Sequence, residues 1–172
     1  MAKVINIKLS SEEVRRAIKE VTEFKQDLML NSKKLQYRVA EMMSERPQQG
    51  FNNSKVDELL SANGRSPDVS VSVSQQGNIT LVIANGADAV FVEFGAGVYN
   101  NGSVGSSPHP KGQQLGFTIG GYGKGNGAKE VWGFLQDGEV KFTHGTKATM
   151  PMQKALNEVC PKIYQIAREV FV

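Results

Sequence analysis

A chain of 172 residues with 40% hydrophobic and 22% charged side chains has the composition of an ordinary folded domain, which argues against wholesale disorder or a fibrous repeat. Its 20 Lys and Arg against 17 Asp and Glu leave a net charge of only +3, too even a balance to mark a dedicated nucleic-acid binder without a clustered basic face. The lone cysteine, Cys160, excludes an intrachain disulfide framework and reads as a small buried apolar group, and no run approaches the roughly 18 apolar residues of a membrane span or the apolar core of a signal peptide.

In chain order, Lys3 to Leu9 alternates polar and apolar residues and predicts a short strand. Ser10 and Glu13 have capping-box spacing, and Val14, Val21, Leu28, Leu35 and Met42 recur every seven residues behind them, with Ile18, Phe24 and Val39 in the same stripe. A helix of more than about 30 residues is expected, ending where Pro47 removes a backbone donor. Such a helix is longer than a small sheet needs, so its stripe has two readings, core packing and contact with another chain. Gln48 to Asp68 is polar and turn-rich and predicts a linker or loop.

The segments "DVSVSVS" and "ITLVIAN", joined through Gln75-Gln76-Gly77-Asn78, predict a hairpin with one dry face. Ala89 to Phe94 is expected to add a third strand, which would place Glu93 on the same face as Phe91. Trp132 to Leu135 and Glu139 to Phe142 flank Asp137-Gly138 and predict a second hairpin. Thr149 and Pro151 read as N-cap and first residue of a carboxy-terminal helix that Pro161 should kink. The order predicts a single α+β domain over residues 1–172: a long amino-terminal helix and a carboxy-terminal helix packed on a mainly antiparallel sheet, with a flexible Gly-rich loop over 95–130.

The residues offer little catalytic chemistry. Two histidines, His109 and His144, lack metal-ligand spacing, so neither a metal nor a cofactor is expected. Eleven of the 18 glycines lie between Gly95 and Gly127, with Lys124 among them, yet no phosphate-loop spacing and no following helix is present. Ser106, Ser107 and His109 are adjacent, and adjacency alone does not set a base against a hydroxyl. Glu93 among apolar neighbours is a place for a perturbed carboxylate or for a rim carboxylate bonded to loop amides. No acidic residue occurs between Glu93 and Glu130, whereas Lys111, Lys124 and Lys129 do, a weak basic stretch suited to phosphates or an acidic partner surface.

"VEFGAG" at Val92 to Gly97, followed by "WGFLQDGEVKFTHGTKATMPMQKAL" at Trp132 to Leu156, resembles the small neck or tail-completion proteins of long-tailed bacteriophages. In that family Glu-Phe-Gly-Thr-Gly ends a strand before a variable loop, an aromatic hairpin containing Trp132 here, and a Thr-x-Gly turn into a proline-started helix. Glu93, Phe94, Gly95 and Gly97 match the first part, and Thr143, Gly145, Ala148, Pro151 and Ala155 the second; Ala96 stands where threonine is usual, and Met150 and Met152 flank the proline where glutamine and phenylalanine are common.

The resemblance implies a non-enzymatic virion protein, a ring subunit at the head-to-tail junction, made in the bacterial host cytoplasm. Its implied partners are copies of itself, six on the particle, the neighbouring neck, connector and tail proteins, and packaged DNA close by, with no membrane. Lys111, Lys124 and the glycine loop are candidates for contacts with neighbours. Two rival readings stay open: a small hydrolase or nuclease using Glu93 with a loop histidine, and an unrelated nucleic-acid- or protein-binding module.

Overall fold

The computed structural model of the chain describes residues 10–56, 59–60, 63–97, 107–117 and 131–171. The expected strand at 3–9, Lys124, and most of the glycine-rich loop lie outside them.

Helix α1 spans Ser11–Asn52, 42 residues, or about 63 Å at 1.5 Å per residue. Its start is as the sequence predicts: Ser10 Oγ accepts from the Glu13 N–H, supplying one of the bonds that a helix start cannot make internally. Its end is not. The helix continues through Pro47 to Asn52, taking the first five residues of the expected linker. Proline withholds a hydrogen bond from the Met43 carbonyl at a cost of about 3 kcal/mol; here the Pro47 ring is itself fully buried, and the following turn delivers Phe51 into the core at 1% exposure.

Strands β1 (Ser70–Gln76) and β2 (Ile79–Asn85) form the expected antiparallel hairpin, Gln76 facing Ile79 across the turn. Ala89–Phe94, expected as a third strand, is instead the short helix α2. The β-branched run favours a strand locally, but a helical turn aims residues three and four apart at one side. Ala89, Val92 and Glu93 are accordingly buried together while Phe91 faces outward, so Glu93 does not share a face with Phe91. Two short pairings follow. β3 (Ala96–Gly97) pairs with β6 (Gly145–Thr146), and β4 (Trp132–Gln136) with β5 (Glu139–Thr143), all antiparallel. Asp137 and Gly138 both have positive φ, as the tight turn of the second hairpin requires.

Helix α3 (Pro151–Val159), a 3-10 turn at Cys160–Lys162 and helix α4 (Ile163–Val170) complete the chain, the break falling at Pro161 as expected. Cys160 at that break is exposed, contrary to the buried position expected of it, because Ala155 and Val159 define the covered face of α3 and the next residue along a helix is turned about 100° away from it. The architecture is α+β, with α1 as common partner of the β1–β2 hairpin, α3 and α4. Phe51, Val56 and Val92 form the buried centre, covered by Val69, Val71, Ala84 and Met152.

Candidate functional site

The two sequence motifs meet at the junction of α2 and α3. The end of α2 has carbonyls without helical partners and the start of α3 has amides without them, and each helix supplies what the other lacks. The Val92 carbonyl accepts from the N–H of Thr149 at 2.9 Å and of Met150 at 3.4 Å. In return the Glu93 carboxylate accepts from the N–H of Met152 through Oε2 and of Gln153 through Oε1, both at 2.9 Å. A carboxylate at a helix amino terminus also sits favourably in the helix dipole.

This arrangement displaces the expected cap. The N-cap of α3 is Met150, with left-handed φ and ψ of 54° and no side-chain bond to the helix. Thr149 turns its hydroxyl to Ser54 Oγ at 2.6 Å, and Ser54 in turn donates to the Gly50 carbonyl. The carboxylate arrives from 59 and 60 residues upstream, a through-space cap that local spacing does not reveal. The signal that remains in the sequence is negative: Pro151 begins a helix after Met150, which has no capping oxygen.

Segment 107–117 closes over the same point. His109 Nε2 lies 3.2 Å from Glu93 Oε1 in a buried contact, and the Lys111 N–H donates to His109 Nδ1 at 3.0 Å. Since Nδ1 is accepting, the ring proton resides on Nε2 and is directed at the carboxylate. Phe94 stacks on Phe117 with ring centroids 4.1 Å apart and planes within 5°, and lies against the His109 ring at 4.3 Å. Ser107 Oγ donates to the Phe94 carbonyl at 2.6 Å and accepts from the His109 N–H. The Ser107 proton is therefore committed to a carbonyl and does not face the imidazole; Ser106 lies outside the described residues.

Gly95 follows α2 with φ 81° and ψ 161°, a conformation that a Cβ disfavours strongly, and this reversal directs β3 onto β6. Gly97 then pairs with Gly145 and Ala96 with Thr146, while buried Thr143 accepts the Gly145 N–H on its hydroxyl at 2.9 Å. Glu93, Phe94, Gly95, Gly97, Thr143, Gly145 and Pro151 are thus gathered in one region. Trp132 belongs to the β4–β5 hairpin, and Lys111 stands exposed at the rim of a groove of about 360 Å³ between α1, β2, α2 and α3.

An ion pair, which sequence reasoning missed, anchors the start of α2. Asp88, buried, receives a bidentate contact from the Arg65 guanidinium at 2.5 and 2.9 Å and the Asp68 N–H at 2.7 Å. Burial opposes its ionisation, but the Arg65 and Asp68 hydrogen bonds with the Arg65 charge outweigh it and hold the carboxyl below its usual value. Among the described residues there is no group of three or more His, Cys, Asp or Glu placed to hold a metal, and no helix long and apolar enough to cross a membrane.

Comparison with protein-family models, with curated proteins and with solved structures returned no match to this chain.

Proposed function

We propose that the protein is a non-enzymatic structural subunit of a long-tailed bacteriophage particle or prophage, building a ring, most simply of six copies, at the head-to-tail junction. The observation that carries this reading is the use made of Glu93. Both of its oxygens are bonded to main-chain N–H groups of α3 and one also to His109, and the second His109 nitrogen is bonded to Lys111. A general acid or base needs an atom within reach of the substrate proton; here each of these atoms holds three pieces of chain together. The residues that carry the family resemblance thus act as architecture, which suits a component whose task is to present surfaces to neighbours.

The Glu93–His109 contact also gives the hydrolase or nuclease reading its one specific support, and the test separates the two. In intact particles, labelled protein should map to the head-to-tail junction, and the purified chain should show no turnover on cell wall, nucleic acid or ester substrates. Robust turnover that Glu93→Gln abolishes while the chain stays folded would overturn the structural role, as would absence of the protein from the junction.

A further inference from the structure

Segment 107–117 closes on itself before it meets the body. Its Ser107 N–H donates to the Phe117 carbonyl at 3.0 Å, the Phe117 N–H to the Gly112 carbonyl at 2.9 Å and the Gly112 N–H to the His109 carbonyl at 2.8 Å. Among the described residues its ties to α2 run through three side chains: Ser107 on the Phe94 carbonyl, Phe117 stacked on Phe94, and His109 on Glu93. Of the three, only the imidazole can take up a proton.

The two nitrogens of that ring make opposite demands. Nδ1 accepts the Lys111 N–H at 3.0 Å, which only a neutral ring can do. Nε2 faces the Glu93 carboxylate at 3.2 Å, a contact that a protonated ring makes more strongly. A proton added at Nδ1 therefore keeps the Glu93 contact as an ion pair and sets two donors, Nδ1–H and the Lys111 N–H, against each other. The His109 side chain is only 5% exposed, so water does not replace the lost acceptor while the turn stays closed. Leaving a buried donor unpaired costs more than the neutral bond it replaces contributes.

Few other charges bear on the ring. In the groove beside it, Glu93 and Lys111 are the titratable groups among the described lining, while α1, β2 and α3 present neutral side chains such as Met43, Ala84 and Gln153. The Lys111 residue is exposed at the rim, and its ammonium opposes a second positive charge only through solvent.

We infer that His109 is a proton-operated catch on segment 107–117. With the ring neutral, the turn from His109 to Gly112 is closed; on protonation the ring stays on Glu93 and the Lys111 main chain swings off it. His109 and Lys111 both line the α2–α3 groove, so the proton resets one wall of that groove. The catch belongs to the free chain and stands whether or not the chain joins a virion.

The test is a nuclear magnetic resonance titration of the full chain that reads the ring and the amides together. At high pH the ring nitrogen shifts should report the Nε2–H tautomer. As pH falls and the His109 ring takes up its proton, the Lys111 amide should lose exchange protection about tenfold relative to its intrinsic rate, the order expected for one hydrogen bond. The Met152 and Gln153 amides, which rest on Glu93, should keep theirs over the same span. His109→Asn places an oxygen near the position of Nδ1 and cannot take up a proton there, so its Lys111 protection should be flat with pH. The Nδ1–H tautomer, Lys111 protection that ignores the ring signal, or a ring that takes up no proton while the chain stays folded overturns the inference. Joint loss at Lys111, Met152 and Gln153 overturns it in favour of acid unfolding of the whole junction, and a wild-type pH response in His109→Asn overturns it in favour of another group.

Discussion

Glu93 bonds two amides of α3 and the His109 ring from a position only 6% exposed, so its exchange for glutamine is a sharp probe. The amide keeps one acceptor and sets an NH2 group against an N–H donor of α3. Loss of one charge-assisted acceptor in a buried site costs about 1–3 kcal/mol, and Glu93→Gln should lower the urea midpoint accordingly. An unchanged midpoint would mean that the cap contributes nothing. Asp88 tests charge rather than geometry. Its folded pKa lies below the ordinary 3.8, so the stability it contributes is present above that value and is lost as pH falls through the lower folded value. Unfolding free energy should therefore drop more steeply below about pH 4 in the wild type than in Asp88→Asn, which has no carboxyl there to protonate; parallel acid profiles would remove the role assigned to it. That a carboxylate in "VFVEF" is notable was legible from its apolar neighbours; that it caps a helix some 60 residues away was not, because the bond depends on which elements pack together.

At the scale of elements, α1 and α3 approach at Gly50, where a Cβ would come within 2.8 Å of Pro151 Cβ. Alanine would gain about 1 kcal/mol of helix propensity, but relieving that overlap requires the helices to separate, at about 1–3 kcal/mol. Gly50→Ala is expected to lower the melting temperature, whereas Gln49→Ala, exposed on the same turn, should leave it unchanged or raise it slightly. The same close approach explains why the helix runs past Pro47: stopping there would withdraw Gly50 and Phe51 from α3 and the core. Both hairpins were legible because alternation and turn residues are local. α2 was misread as a strand because its composition is local and its reason for being helical is not.

For the whole molecule, the buried centre at Phe51, Val56 and Val92 lies far along α1 from exposed Val21 and Leu28. Paired substitution of Val21 and Leu28 by glutamine should therefore leave the calorimetric melting temperature within a few degrees of wild type, since exposed sites away from caps and cores rarely change stability by more than about 0.5 kcal/mol. A large fall in melting temperature would mean that this stretch of α1 is covered in the fold.

By itself the sequence determined the elements with a strong local cause: the capped long helix, the two hairpins, the break at Pro161 and hence the α+β class. Each follows from periodicity, capping chemistry or backbone restriction within a few residues. Only the tertiary structure decided which half of the apolar stripe is covered, that Ala89–Phe94 is helical, that Cys160 is exposed, and that Glu93, His109 and the start of α3 meet. These depend on contacts between residues tens of positions apart, where the free energy of filling a core and satisfying buried amides outweighs local preference by several kcal/mol.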